Sequence, residues 1–262
     1  MRRDVTAGIE LEAAGRARLV LAVAVADGHE VEESLVVSRD GVTLPWTEVR
    51  DEHGTRLHLV DTDAGRVRVD YRASVHGRAE PAVIEGLDAI RYLRPSRYCE
   101  SDALRPVAVA EFGDLDGFEL LEAVRAWVAR SLAYVSGSST PTDGAIQTLL
   151  SRTGVCRDFA HLVVAFLRAL EVPARVVSVY APGLSPMDFH AVAEAEVDGR
   201  WWVLDATGKA PRAALVRIAT GRDAADTAFL TTIGADVSLE RLEVTAVVDE
   251  WRADDGGPVA LR

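Results

Sequence analysis

The chain has 262 residues, 48% apolar and 27% charged, with 29 Lys and Arg against 41 Asp and Glu for a formal net charge of −12. That length suits one large or two small domains and buries a sizeable core without disulfides or metal. The balance excludes a disordered, collagenous or coiled-coil chain. The acidic charge disfavours nucleic acid and anionic membrane surfaces as partners.

Lys209 is the sole lysine, Gln147 the sole glutamine, and asparagine is absent. There is therefore no N-glycosylation acceptor and no Asn to serve in a catalytic triad. Cys99 and Cys156 are too few for a disulfide framework. Neither lies in a Cys-x-x-Cys pair, so neither metal nor cofactor is expected. No apolar run reaches the roughly 18 residues of a membrane helix. Leu19–Ala26 has the apolar character of a signal-peptide core, but Asp4, Glu10 and Glu12 precede it. It is read as a buried strand, and the protein as cytoplasmic.

From Ala17 to about Val75 the pattern has period two, as in Val67, Val69 and Tyr71 against intervening charges. Val31–Ser38, Val42–Val49 and Arg56–Val60 are similar runs, punctuated by Asp27-Gly28, Asp40-Gly41, His53-Gly54 and Ala64-Gly65. Strands at this spacing predict a small antiparallel β-sandwich over 1–80. His53, His58 and His76 read as surface or strand residues there. Residues 81–116, with Pro81, Pro95 and Pro106, read as a connector. Residues 117–262 form the expected second domain. Helical periodicity runs over Phe118–Val135, and Asp143 is expected to cap a short helix, Gly144–Ser151. Thr153-Gly154-Val155-Cys156 then opens an apolar helix that Pro173 stops. Alternating strands follow at Ala174–Tyr180, His190–Val197 and Arg200–Asp205, the last two joined by the tight Asp198-Gly199 turn. Asp236–Val248 is a further strand candidate. Helices followed by an antiparallel sheet predict an α+β fold.

Cys156 sits where a turn gives way to a helix, a setting that favours a thiolate and supplies N–H groups for an oxyanion. Arg157 is placed to assist. His190 opens a strand 34 residues on, and Asp205 ends the neighbouring strand 15 residues later. Together they supply a nucleophile, a base and an orienting carboxylate. His161, five positions after Cys156 and about 140° around a helix of 3.6 residues per turn, faces away and reads as a buried or capping residue. Asp158 and Asp223 read as caps or ion-pair partners. Of Trp201 and Trp202, one belongs to the core and the other is a candidate cleft wall.

Thr153–His161, His190–Ala195 and Trp202–Thr207 resemble the three core motifs of the transglutaminase-like superfamily. Tyr92–Cys99 and Gly221–Asp226 are similar to segments of its bacterial members. The resemblance implies a papain-like core in which helices pack on an antiparallel sheet, with catalytic Cys156, His190 and Asp205. It also implies a thioester acyl-enzyme formed on a protein or peptide amide and resolved by water or an amine. Val192 stands where an aromatic often follows the family's His-Ala, and Ala206 where proline often follows the Asp; both bear on the acyl pocket. A non-catalytic protein-binding module on the same scaffold is the alternative, and a redox pair of Cys99 and Cys156 a third. With one glutamine and one lysine as internal cross-linking sites, hydrolysis is expected over amine transfer.

Overall fold

The structure, a computed structural model, describes residues 1–251, 254 and 256–261. The chain opens with β1 (Arg2–Ala13), β2 (Ala17–Leu21), β3 (Glu30–Arg39), β4 (Val42–Thr43), β5 (Thr47–Arg50), β6 (Arg56–Thr62) and β7 (Gly65–His76). Then come α1 (Asp88–Arg91), α2 (Ser101–Phe112), α3 (Gly117–Ser131), β8 (Ala133–Tyr134), α4 (Ala145–Ser151), β9 (Thr153–Gly154) and α5 (Cys156–Ala169). The remainder is β10 (Ala174–Tyr180), β11 (Phe189–Val197), β12 (Arg200–Leu204), β13 (Val216–Gly221), α6 (Ala224–Thr227), β14 (Leu230–Gly234) and β15 (Val237–Val248).

Period-two patterning builds a two-sheet sandwich. One sheet has the order β15-β1-β7-β3-β4 and the other β14-β2-β6-β5. Val5, Ile9 and Leu11 of β1 and Val67, Val69 and Val75 of β7 share a core with Leu19 and Leu21 of β2 and Val60 of β6. The candidate strand at 236–248 forms, but it pairs with β1 along nearly its whole length, and β14 pairs with β2. The last strands of the chain therefore complete the N-terminal sheets.

The expected strand over Leu19–Ala26 stops at Leu21. Residues 22–26 stay buried but leave the sheet. Their backbone groups are satisfied elsewhere: Tyr71 Oη accepts from Val25 N at 2.9 Å, and Tyr180 Oη donates to the Val23 carbonyl at 2.7 Å. Tyr180, Val216 and Ile218 belong to the third sheet, and they pack into the sandwich core here.

That third sheet has the order β12-β11-β10-β13. The Asp198-Gly199 turn has φ of 54° and 73°, the positive pair that a tight hairpin requires. Helix α5 is apolar nearly all round and buried from Asp158 to Ala169. It packs among α2, α3 and the sheet, with Phe112, Trp127 and Phe166 in mutual edge contacts. The presumed connector thus contains α1 and α2, the latter presenting Leu104, Ala108 and Phe112 to this core despite Pro106. Helix α3 ends at Ser131, short of the expected Val135, because Ala133 and Tyr134 instead pair in parallel with Thr153 and Gly154. Asp143 does not cap α4. Its carboxylate accepts from Thr140 N and Oγ1, and Glu100 Oε2 takes the Ala145 N–H at 2.8 Å.

Candidate active site

Cys156 is the first residue of α5, half-buried, with its thiol free. What fixes it there is Asp158. The Asp158 carboxylate accepts the Val155 N–H at 2.8 Å and the Ser139 hydroxyl at 2.9 Å. Asp158 leaves no room for a side chain at 154, since a Cβ on Gly154 would lie 2.7 Å from Asp158 Cβ. Glycine stands in this turn for that close approach. Asp158 is thus a cap, as expected. Arg157 does not turn to the thiol. Its guanidinium donates to Ser139 Oγ, the Thr140 carbonyl and Asp158 Oδ1, tying down the 138–140 loop.

His190 and Asp205 meet across the β11–β12 hairpin. His190 Nε2 and Asp205 Oδ2 are 2.9 Å apart, and both side chains are about 2% exposed or less. Asp205 Oδ1 accepts from Thr207 N at 2.8 Å and Thr207 Oγ1 at 2.7 Å, so the carboxylate is saturated and cannot rotate freely. With Nε2 engaged, Nδ1 is the nitrogen left for Cys156: it is buried without a hydrogen-bond partner among the described residues, and Cys156 lies close enough to act on the same imidazole. Burial alone would depress His190. The hydrogen bond and charge of Asp205, with Cys156 beside the ring, outweigh it and raise the imidazole to about 10. Burial likewise opposes the Asp205 charge, yet His190 and Thr207 hold that carboxyl below its ordinary range. All three sequence-predicted residues are therefore brought together.

Tyr134 is a member of this cluster that periodicity assigned to a helix. Its strand pairs beside Gly154, two residues before the cysteine, and its phenol lies close enough to Cys156 to feel its charge. Burial and the Cys156 charge push the phenol up to about 12, so it keeps its proton. Helical apolar spacing runs through Leu132 to Val135, so no local sequence signal marks it. Asp188, in the loop before β11, faces His190, and burial raises its carboxyl.

The other candidates lie elsewhere. His161 is fully buried, stacked on Tyr98 with ring centroids 5.3 Å apart, and its Nε2 accepts the Ala224 N–H at 3.1 Å. Burial depresses it to about 3, despite Asp223 nearby, so it stays neutral. Asp223 caps α6 through Ala225 N and accepts from Tyr98 N. Trp201 is core, with the Arg175 guanidinium 3.9 Å from its ring centre. Trp202 does not wall the cleft: it packs on Phe118 and lines a separate pocket of about 130 Å³. Val192 and Ala206 are both core residues, so their departure from the family pattern is absorbed in packing. Cys99 is fully buried, and burial pushes its thiol up to about 12, which suits neither redox nor nucleophilic work. His53 and His58 are buried beside Asp88 and Glu48 respectively, more interior than a surface reading implied. Among the described residues no group of His, Cys, Asp and Glu is arranged to hold a metal, and no helix is long and apolar enough to cross a membrane.

A family model for the transglutaminase-like superfamily matches residues 108–206. The crystal structure of a "putative cysteine protease" from Cytophaga hutchinsonii is 31% identical, with a TM-score of 0.87, over 97% of this chain and 95% of that one. An uncharacterized protein of Mycobacterium leprae is 30% identical over 134 residues, 47% of this chain and 47% of its own. An uncharacterized protein of Mycobacterium tuberculosis strain H37Rv is 38% identical over 108 residues, 39% of this chain and 33% of its own. The chain thus spans about half or a third of the length of these curated relatives.

Proposed function

Since the chain belongs to the transglutaminase-like superfamily, we propose that it is a cysteine hydrolase acting on a protein or peptide amide, with Cys156 as nucleophile, His190 as acid and base, and Asp205 as the group that orients His190. The observation that carries this reading is the 2.9 Å contact between His190 and Asp205, which leaves Nδ1 of the same imidazole for the neighbouring Cys156. The Cytophaga hutchinsonii protein's description as a protease supports it.

In this reading the Cys156 sulfur adds to the carbonyl carbon, and the oxygen gathers negative charge. The Cys156 N–H and the Tyr134 hydroxyl are the donors at hand for that oxyanion. Imidazolium is the form a leaving amine needs, and a base of about 10 carries that proton at neutral pH. His190 donates it as the C–N bond breaks and the thioester remains. The now neutral imidazole takes a proton from water, the hydroxyl adds to the thioester, and the thiolate leaves as the acid is released. Asp205 stays ionised throughout and stabilises each imidazolium.

Water as the resolving nucleophile is favoured over an amine. Gln147 and Lys209, both exposed, allow one link of each kind per chain, too few for a branched network. The test supplies a peptide library with and without a millimolar primary-amine probe and follows products by mass spectrometry. Carboxylic-acid products are expected to predominate. Predominant amine adducts would turn the reading to acyl transfer. Absence of any product or acyl-enzyme would favour a binding module on this scaffold.

A further inference from the structure

Lys209 is the sole lysine of a chain carrying −12, and it is exposed beside the nucleophile. Its ammonium lies 4.3 Å from the centre of the Tyr134 ring, the ring whose phenol lies close to Cys156. The backbone holds it there: Lys209 N donates to Thr207 Oγ1 at 3.3 Å, and Thr207 Oγ1 donates to Asp205 Oδ1. The lysine is thus tied by two hydrogen bonds to the carboxylate that orients His190.

Lys209 also borders a cavity of about 390 Å³ that reaches Asp205. Two other cations line it, but both are matched. Arg212 is bidentate to Asp254, and Arg125 is bidentate to Glu122. Asp205 is matched by His190. Lys209 has no ion-pair partner among the described residues, so among those lining the cavity its charge is the one left over. An ammonium over an aromatic face keeps its N–H donors for another acceptor. A neutral substrate would leave that charge unanswered, while a carboxylate would pair with it across the Tyr134 ring.

We propose that Lys209 is a specificity residue that selects substrates bearing a carboxylate next to the amide that Cys156 attacks. This rests on the Cys156 reading above and adds the substrate's charge to it. The carboxylate is either an acidic side chain or a free chain terminus, and the two call for different probes.

The test uses alkylating agents matched in size but not charge, mapped at Cys156 in the full chain. In each, the Cys156 sulfur forms a bond to the probe's methylene carbon and the halide leaves with its electron pair. Iodoacetate is compared with iodoacetamide in wild type, Lys209→Met and Lys209→Arg. The contribution of the His190 charge is common to all three and cancels in the comparison. The iodoacetate-to-iodoacetamide rate ratio is expected to fall about three- to tenfold in Lys209→Met, the size of one screened charge at this range. It should be restored in Lys209→Arg, and the difference should shrink at about 0.5 M salt. Chloroacetyl-glycine against chloroacetyl-glycinamide reads a terminal carboxylate. Chloroacetyl-glutamate α-amide against chloroacetyl-glutamine amide reads a side chain. A Lys209-dependent ratio in one pair assigns the source. Ratios unchanged by Lys209→Met in every pair would overturn the proposal. Failure of every probe to label Cys156 ahead of Cys99 in wild type would overturn the nucleophile reading, and this one with it.

Discussion

Replacing Asp205 with asparagine keeps the shape of the side chain and removes its charge. The structure sets the size of the effect. Asp205 and His190 form a buried pair at 2.9 Å, each side chain about 2% exposed or less, so solvent screens little of their interaction. Removing one partner of a buried pair costs about 3–5 kcal/mol for the charge left behind. At 1.36 kcal/mol per pKa unit that is a drop of about two to four units. His190, raised to about 10 chiefly by Asp205 against burial, would then titrate between about 6 and 8, close to its ordinary value of about 6.5. The linkage follows. A group whose pKa is raised by folding stabilises fully below its unfolded value of about 6.5 and loses that contribution as pH climbs through about 10. Wild type should therefore shed stability across that window, and Asp205→Asn should show a smaller decline in it. Acyl transfer in the variant should fall by about four orders of magnitude, the cost of losing the orienting carboxylate in a triad. The assay is imidazole nitrogen NMR of His190 across pH, paired with the rate of the acylation step. A His190 that still titrates near 10 in Asp205→Asn would refute the electrostatic reasoning.

His161→Ala should leave acyl transfer per folded molecule within a few-fold of wild type while lowering stability by about 2–4 kcal/mol, read by denaturant unfolding, because it opens a cavity and strands the Ala224 N–H. The sign for His161 is opposite to that for His190. Burial lowers it to about 3, so its contribution is intact above about 6.5 and lost as pH falls, and His161→Phe should flatten the acid side of the stability profile. Gly154→Ala drives a Cβ to within 2.7 Å of Asp158 and should cost about 1–3 kcal/mol together with most of the reactivity of Cys156, measured by melting and by alkylation. Unchanged alkylation would mean that the Asp158 cap does not position the thiol. Tyr134→Phe removes a donor at Cys156 and should lower the acylation rate about 10²–10³-fold with the fold intact; an unchanged rate would exclude it from the oxyanion site.

The cluster of Cys156, His190 and Asp205 was legible in the sequence because each residue closes or opens an element that local pattern defines. The Thr153-Gly154 turn precedes an apolar helix, and the Asp198-Gly199 turn fixes which residues of two strands lie opposite. Tyr134 was not legible. The apolar spacing of Phe118–Leu132 runs on into Val135, and only the non-local pairing with Thr153 and Gly154 pulls Ala133 and Tyr134 out of the helix. Strand β1 carries clean alternation from Val5 to Ala13, but the period-two reading began only at Ala17 and left it out. Helix α2 was hidden by Pro106, which tertiary packing of Leu104, Ala108 and Phe112 overrides. The partners of β14 and β15 lie more than 200 residues away, a separation that no local pattern encodes.

The central claim is that Cys156 is an acyl-accepting nucleophile served by His190. The most direct measurement is labelling of the intact protein at pH 7 with a thiol-reactive acyl probe, followed by peptide mapping of wild type, His190→Ala and His161→Ala. The account expects acylation at Cys156 rather than the buried Cys99, lost in His190→Ala and kept in His161→Ala. Acylation at Cys99, or equal loss in the two histidine variants, would contradict it.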